Sequence, residues 1–418
     1  MNLSSRVQGS ASLPPEIAGL RSAAAVRERC GMVARWVADG HSRHFALDES
    51  RLDAVADYVT KVTREAYPDL NIPYHSRWRH FCAGGIDRWR ELAESVRVHP
   101  LERARMAVDL VTVSVLLDAG AGDAWRYREA QTGDVLARSE GLAVASLDMF
   151  RAGGFSSDRE RPYRVDDAAL ARIDSATLAR HFQVDAKNPV IGVEARSTLL
   201  QRLGKAISER PDLFGSRPAR PGNLVDHLIN AARTESISAA SVLALSLDAL
   251  APIWPSALAL DGIPVGDAGR HSAVRTSDCT DGIVPFHKLS QWLTYSLIEP
   301  LAWAGIAIER INELTALPEY RNGGLLVDLG AIRLRPGIDA QARHAVRSEL
   351  VVEWRALTVA LMDRLLERVR AKLALGSDFT LPQMLQGGTW SAGRKIARVL
   401  RPPDGPPPIL VVADGTVF

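Results

Sequence analysis

The stretch VPFHKLSQWLTYSLIEPLAWAGIAIERINELTALPEYRNGG, residues 284–324, decides how the chain is expected to fold. Apolar side chains recur through its first half at helical spacing, and Pro285 suits the first turn of a helix, where no backbone N–H is needed. Pro300 should kink this helix. Gly305 is the expected reversal, and a return helix should end before Pro318 because the residue before a proline avoids helical geometry. The sequence therefore predicts an antiparallel helical hairpin.

The lengths of the two arms place polar side chains at the open end of this hairpin. Each arm should run roughly 20–25 Å at the helical rise per residue, so Lys288 and Glu319 should return to the same end. His287 and Arg321 lie beside them in the sequence. A cation and a carboxylate at the rim of an apolar layer form either a capping salt bridge or part of a ligand site, and spacing alone leaves both interpretations open.

Helical periodicity also dominates the rest of the chain. Further helices are predicted over residues 17–37, 51–66, 87–98, 101–117, 141–151, 168–182, 193–209, 224–232 and 343–375. Strand signals are few: hairpins around Asp261-Gly262 and Asp281-Gly282, and the closing run 409–412. We expect a mainly α fold with a few short β-strands, in one domain over 1–418. Within it, 1–70 should hold the N-terminal helices, 71–400 the core with the site, and 401–418 a Pro-rich connector and terminal strand.

Composition excludes several classes of function. Hydrophobic residues make up 46% of the chain and charged residues 24%, which is the balance of a globular protein. The formal net charge of +2 provides no strong field for nucleic acid or a membrane surface. Neither a signal peptide nor an apolar run of membrane-spanning length is present in the sequence. We expect a cytoplasmic protein that acts on a small molecule, and the sequence leaves its oligomeric state open.

No metal or cofactor is expected. The three cysteines are far apart and form no CxxC pair. His75, His80 and Cys82 have a loosely metal-like spacing, but no second pair accompanies them. The Gly-rich DAGAGDAW at 118–125 follows a helix rather than a strand and lacks GxGxxG, so it indicates a helix end rather than a dinucleotide loop.

The segment NIPYHSRWRHF, residues 71–81, alternates cations with aromatic rings and is expected to be a loop. Its candidate substrate-binding residues are Tyr74, His75, Arg77, Trp78, Arg79 and His80. Arginine binds phosphate well and the rings could enclose a sugar or a planar group; a surface loop anchored by its tryptophan is the alternative. Arg394, on a predicted helix after a Gly-Gly-Thr sequence, is a further phosphate candidate.

Six segments resemble a uracil-catabolism family of fungi and bacteria, that of the fourth uracil-catabolism protein, formerly a domain of unknown function. They are NIPYHSRWRHF, LLDAGAGDAWRY (116–127), GIVPFHKLSQWLTYSLIEPL (282–301), LPEYRNGGLLVD (317–328), LPQMLQGGTWSAGR (381–394) and DGTVF (414–418). They extend from residue 71 to residue 418. The resemblance implies a role in uracil catabolism.

A more distant similarity implies a mechanism. VPFHKLSQWL and ALPEYR are similar to two segments of the queuosine-nucleotide glycohydrolases, and GVEARSTLLQRLGKAI (192–207) lies where that family has a similar helix. Those enzymes cleave an N-glycosidic bond on a helical scaffold related to helical DNA glycosylases. The resemblance places Lys288 at the family's lysine and Glu319 at its aspartate, one methylene longer here. Asp118 is matched to an earlier aspartate, although the Gly-rich sequence after it departs from the pattern.

These resemblances imply an N-glycoside hydrolase that cleaves the ribose–urea bond of ribosylurea, with its 5′-phosphate the expected form. Glu319 or Asp118 would stabilise the oxocarbenium-like charge and act on water, and Lys288 or His287 would help the nitrogen leave. Gln291, Tyr320 and Arg321 complete the expected substrate-binding set. A non-catalytic protein that binds a uracil-derived metabolite and an amidohydrolase acting on the urea end remain the alternatives.

Overall fold

The computed structural model describes residues 13–231, 236–254 and 258–412, and its chain is mainly helical. The predicted mainly α fold with short strands is therefore confirmed. The helices are α1 Pro15–Leu20, α2 Ala23–Ala38, α3 Leu52–Ala66, α4 Arg77–Phe81, α5 Arg88–Ser95, α6 Pro100–Leu116, α7 Arg138–Arg151, α8 Asp167–Leu170, α9 Ser175–His181, α10 Val193–Ser208, α11 Pro211–Phe214, α12 Leu224–Ala231, α13 Ala239–Leu250, α14 Lys288–Trp303, α15 Tyr320–Asp328, α16 Glu349–Leu373, α17 Leu381–Met384 and α18 Trp390–Leu400. A π-helical turn, Leu385–Thr389, joins α17 to α18.

The strands form two-stranded pairs at the edges of the helical body. They are β1 Phe45–Leu47, β2 Tyr127–Arg128, β3 Val135–Leu136, β4 Ser236–Ser238, β5 Ala259–Leu260, β6 Ile263–Pro264, β7 Ala268–Arg270, β8 Ile283–Pro285, β9 Ala307–Glu309, β10 Ile332–Leu334, β11 His344–Ala345 and β12 Val411–Val412. The antiparallel pairs are β1–β10, β2–β3, β5–β6 and β7–β8, and the parallel pairs are β4–β9 and β11–β12.

Helix α14 confirms that the first arm of the predicted hairpin is helical, but it begins at Lys288, and Pro285 lies in strand β8 rather than in the first helical turn. The predicted return helix is wrong. Asp267 accepts a hydrogen bond from the backbone N–H of Lys288, the first residue of α14, at 3.0 Å. The helix continues through Pro300 and the chain reverses at Gly305, whose φ is +86°. The chain then returns through β9, which pairs with the distant β4, and through an extended segment. Thr315 in this segment donates its backbone N–H to the Gln291 side chain of α14 at 2.8 Å.

Two buried apolar clusters support the site from opposite sides. One is built around α6, α7, α10, α13 and α14. The other is built around α2, α3, α15, α16 and the turn into α18, with Trp354 of α16 among its largest fully buried side chains. The helix predicted over 343–375 is α16, and its buried apolar side chains belong to this second cluster. Burial of this much apolar surface is the main favourable term for the fold.

Several element boundaries differ from those predicted. Residues 17–37 form two helices because Ser22 caps a new start, accepting the N–H of Ala25 at 3.1 Å. Residues 168–182 are likewise divided, with Asp174 capping α9. The expected loop at 71–81 contains the short helix α4, and α13 was not predicted. The hairpin around Asp261-Gly262 is confirmed as β5–β6.

The two chain ends bear on the remaining expectations. The closing strand is shorter than predicted, Val411–Val412, and its partner is β11. The DGTVF segment lies outside the described residues, as does residue 232 at the end of the predicted 224–232 helix. Among the described helices, each is too short or too polar to cross a membrane.

Candidate active site

A cavity of about 710 Å³ lies where helix ends from both clusters meet. It is bounded by the C-terminal end of α6 and the loop after it, and by the N-terminal ends of α7, α14 and α15. The side of α18 and the segment 402–411, called here the C-terminal strap, complete the wall. Its polar and aromatic lining includes His75, His80, Asp118, Arg138, Glu140, Lys288, Trp292, Glu319, Tyr320, Arg321, Arg343, Trp390 and Arg394.

Lys288 lies at the first turn of α14 on the cavity wall. Burial lowers the pKa of Lys288 to about 8, and the positive charge of Arg355 acts in the same direction. The negative charges of Asp267, Glu319 and Asp118 oppose the shift. Arg355 is bound by Asp267 at 2.9 and 2.8 Å, so the negative charge of Asp267 offsets the positive charge of Arg355 beside the Lys288 amine. Lys288 is therefore mostly protonated at neutral pH but gives up its proton more readily than an exposed lysine.

Glu319 caps helix α15 and faces the same cavity. Its Oε2 accepts the backbone N–H of Arg321 at 2.7 Å, and its Oε1 accepts that of Asn322 at 2.6 Å. Burial raises the pKa of Glu319, whereas these two hydrogen bonds, Arg321 and Lys288 oppose the increase. The helix cap fixes the position of the carboxylate and stabilises its charge. Each oxygen still has acceptor capacity for a ligand.

Asp118 is the second buried carboxylate of the cavity. It follows α6, lies 2.8 Å from Nη1 of Arg77, and accepts the indole N–H of Trp292 at 3.2 Å. Burial raises the pKa of Asp118, and the charge of Arg77 is the largest opposing influence. The charges of Asp118 and Glu319 both act on Lys288. The convergence of Lys288 and Glu319 predicted from arm lengths is present in the structure, with Asp118 beside them.

Aromatic and imidazole rings form one side of the cavity. The rings of His75 and Trp292 lie 4.7 Å apart, and those of His80 and Trp390 lie 6.0 Å apart. The guanidinium of Arg394 lies 4.4 Å from the ring centre of Trp390. Flat apolar faces of this kind suit a sugar ring or a planar group.

Four arginines that line the cavity supply positive charge. Arg394 pairs with Glu140 at 3.0 Å, and Arg321 donates to the carbonyl of Gly405 in the C-terminal strap at 3.0 Å. Arg138 lies 4.0 Å from the exposed Asp123. Arg343 is exposed, and within residues 13–231, 236–254 and 258–412 it makes no ion pair or hydrogen bond. Arg138 and Arg343 are therefore the cations most available to an anionic ligand.

Several predicted site residues do not line the cavity. His287 lies behind the wall, where its Nε2 binds the carbonyl of Leu20 at 2.9 Å. The side-chain amide of Gln291 makes hydrogen bonds to Thr315 instead of facing the cavity. Tyr74 does not line the cavity either.

The loop predicted to bind phosphate is also mostly occupied by the protein itself. Arg77 is fully buried and supports Asp118, and Arg79 pairs with Glu299. Trp78 is a core residue that donates to the carbonyl of Ser296 at 2.8 Å. His75 and His80 are the members of this set that face the cavity.

Sequence reasoning missed five of these polar and aromatic lining residues: Arg138, Glu140, Trp292, Arg343 and Trp390. The two tryptophans lie in segments quoted above for the family resemblance, one helical turn from Lys288 and four residues from Arg394, and that spacing could have identified them. Nothing in the local sequence distinguishes Arg138 or Arg343 from other surface arginines. Across the described ranges, no group of histidine, cysteine and carboxylate side chains could hold a metal ion.

Fold and cavity together define a mainly helical protein with a polar cavity of small-molecule size, walled by several carboxylates, a lysine and several arginines. The chain belongs to the family described as Protein of unknown function (DUF1688), whose model matches residues 19–418. It is 40% identical over 412 residues to "Protein urg3" of Schizosaccharomyces pombe, covering 96% of this chain and 99% of that protein. It is 37% identical over 433 residues to "Uracil catabolism protein 4" of Lachancea kluyveri, covering 95% and 98%. The family expected from the sequence motifs is confirmed.

Proposed function

We propose that this protein acts in uracil catabolism and that it hydrolyses the N-glycosidic bond of ribosylurea, releasing urea and ribose. The name of the Lachancea kluyveri relative supports the pathway. The resemblance of the Lys288 and Glu319 segments to N-glycohydrolases supports the reaction. A cavity of about 710 Å³ is in the range of small-molecule sites and is large enough for a ribosyl ureide.

The observation that carries the proposal is the meeting of Asp118, Lys288 and Glu319, all half-buried, on the wall of one cavity. Departure of urea leaves an oxocarbenium-like positive charge at the anomeric carbon, which a fixed carboxylate stabilises. Glu319 suits this role because two backbone N–H groups hold its carboxylate in place. Low dielectric in a buried site strengthens such an interaction.

Lys288 and Asp118 then account for the protons. As the bond from C1′ to nitrogen breaks, the ammonium of Lys288 donates a proton to the urea, which departs neutral. A water oxygen bonds to C1′, and its proton passes to Asp118, whose pKa is raised by burial. Transfer of that proton from Asp118 to Lys288 restores both groups for the next cycle. His287 has no part in this scheme because it does not line the cavity.

The arginines favour a phosphorylated substrate. Arg138 and Arg343 line the cavity with few competing partners, and Arg394 adds a third guanidinium. A ribose 5′-phosphate carries the charge and oxygen geometry that guanidinium groups bind best. Ribosylurea 5′-phosphate is therefore the form that we expect the protein to use.

The test is urea release from ribosylurea and from its 5′-phosphate by the purified protein. We expect Glu319→Gln to lower the rate by about 10²–10³-fold while ligand binding persists, as for loss of one transition-state contact. Glu160→Gln, at an exposed position, is the matched control and should leave the rate unchanged. A folded wild-type protein that releases no urea from either compound overturns the proposal. Binding without turnover would instead identify a metabolite-binding protein.

A further inference from the structure

Two cavity histidines, His75 and His80, have no part in the proton transfers proposed above. They are 5% and 7% exposed, and both line the cavity. Their ring centres lie 6.4 Å apart with the planes at 90°. Each ring uses its Nδ1 atom for a hydrogen bond inside the protein. No hydrogen bond to Nε2 of either ring comes from the part of the chain that the structure describes, so both Nε2 atoms remain for a ligand.

The partner of His75 fixes its tautomer. Nδ1 of His75 lies 2.9 Å from Oε1 of Gln386, and an N–H at Nε2 of Gln386 donates to the hydroxyl of Tyr67 at 3.1 Å. An amide oxygen only accepts, so the proton is on Nδ1 of His75. Burial lowers the pKa of His75 to about 4, which keeps the ring neutral at physiological pH. The Nε2 atom of His75 is therefore a hydrogen-bond acceptor.

The partner of His80 fixes the opposite tautomer. Nδ1 of His80 lies 3.0 Å from Nη1 of Arg77. A guanidinium only donates, so Nδ1 of His80 is the acceptor. Burial and the positive charge of Arg77 hold the pKa of His80 well below its ordinary value, and the ring is neutral. Its single proton is then on Nε2, which is a hydrogen-bond donor.

The tryptophans make this pair suitable for a flat ligand group. The Trp292 ring lies 4.7 Å from His75 and 5.7 Å from His80, and the Trp390 ring lies 6.1 and 6.0 Å from them. All four rings pack together on the wall of one cavity, so a planar group in the cavity can lie against this aromatic surface beside both imidazoles. A carboxylate or phosphate would place an acceptor oxygen against the Nε2 lone pair of His75, which is unfavourable. The edge of a neutral amide presents a carbonyl and an N–H side by side, and these match the donor of His80 and the acceptor of His75.

We infer that His75 and His80 form a recognition site for a neutral, planar ureido or amide group. His80 donates to its carbonyl, and His75 accepts from its terminal –NH₂. The inference rests on the proposed function for the identity of that group as the urea end of the substrate. It also assigns the two ends of the substrate to different side chains: Arg138 and Arg343 to the anionic end, and the two histidines to the neutral leaving group.

The first experiment needs no ligand. Long-range ¹H–¹⁵N NMR of the histidine side chains reports which nitrogen of each ring carries the proton. His75→Asn and His80→Asn variants assign the two signals among the 10 histidines. We expect a neutral Nδ1–H ring for His75 and a neutral Nε2–H ring for His80 at pH 7. Identical tautomers, or a protonated ring, would overturn the inference.

The second experiment compares two ligands that differ at one group: ribosylurea 5′-phosphate and the acetamide in which a methyl replaces the terminal –NH₂. Binding is measured in the Glu319→Gln background so that the compounds stay intact. With His75 present, the ureide should bind about tenfold more tightly than the acetamide, as one satisfied hydrogen bond predicts. His75→Asn keeps an N–H for Gln386 but removes the cavity acceptor, and it should reduce that ratio to below about twofold.

His80→Asn is the complementary variant. It keeps an acceptor for Arg77 but removes the donor to the carbonyl that both ligands share, so both should bind about tenfold more weakly at an unchanged ratio. An unchanged ratio in His75→Asn, in a protein whose wild type releases urea, overturns the recognition site and leaves the proposed function intact. A ratio that collapses in His75→Asn, with no urea release by the wild type, supports the recognition site and overturns the proposed function.

Discussion

Gly393 provides a sharp test of how helix packing sets the site, because it lies where α18 crosses the first turn of α15. A Cβ added at Gly393 would lie 2.2 Å from the carbonyl oxygen of Arg321 and 2.9 Å from its carbon. Ordinary contact begins near 3.4 Å. Gly393→Ala therefore requires the two backbones to separate by about 1 Å, since a packed backbone cannot rotate aside. Arg321 and Arg394 would move apart with them.

The expected magnitude combines two opposing effects. Alanine in a helix interior is favoured over glycine by about 1 kcal/mol. Overpacking costs about 1–3 kcal/mol, and a clash with backbone belongs at the upper end. We expect Gly393→Ala to lower the free energy of unfolding by about 1–2 kcal/mol. A displacement of about 1 Å should also lower kcat/KM for urea release by up to about 10²-fold.

Gly31→Ala is the matched control. Gly31 also lies inside a helix, α2, but a Cβ there meets only the Arg35 guanidinium at 3.5 Å. The control should raise the free energy of unfolding by about 0.5–1 kcal/mol through helix propensity and leave the rate unchanged. Guanidinium denaturation and a coupled urea assay measure both quantities. If Gly393→Ala were as stable and as active as Gly31→Ala, the argument that this close approach positions the site would be refuted.

Three further predictions concern charged side chains. Because the pKa of Lys288 is lowered to about 8, its ammonium is present at pH 7 and is lost as the pH rises through 8, so urea release should fall above that pH; a pH–rate profile that stays flat to pH 10 would contradict its donor role. Arg343→Met should weaken binding of ribosylurea 5′-phosphate by about tenfold and leave unphosphorylated ribosylurea unaffected in calorimetric titrations; equal effects on both would exclude a phosphate contact. Asp109→Ala removes a fully buried carboxylate that binds Arg220 at 2.9 Å, and chemical denaturation should show a loss of about 3–5 kcal/mol; a loss under about 1 kcal/mol would contradict the buried-pair argument.

Helix periodicity and chain length were enough to predict part of the site. The apolar repeat of α14 and the proline before Glu319 placed Lys288 and Glu319 at one end, and that placement holds although the return arm is not helical. Residues 307–309 form a strand because they pair with β4, which lies far earlier in the chain. Pairing over such a sequence distance has no local signature.

The assignment of roles to individual cations could not be read from the sequence for the same reason. Arg77 and Arg79 look like free phosphate ligands until Asp118 and Glu299 are brought to them by folding. His75 has its tautomer set by Gln386, 311 positions away. Residue type and spacing predicted which segments meet. Whether a charged side chain is already paired within the protein or available to a ligand depends on partners that only the tertiary structure reveals.

The C-terminal strap gives the cavity a dependence on biosynthesis. Arg401 anchors the strap through two bonds to Asp328 at 2.8 and 2.6 Å, and Gly405 then reaches Arg321. The wall formed by 402–411 is absent until translation has passed these residues, so a chain that ends before them leaves the cavity open on that side. Ligand affinity would then depend on whether the C-terminal strap has been synthesised and is intact. Proteolytic removal of residues after Leu400 should abolish binding while most of the helical circular dichroism signal persists.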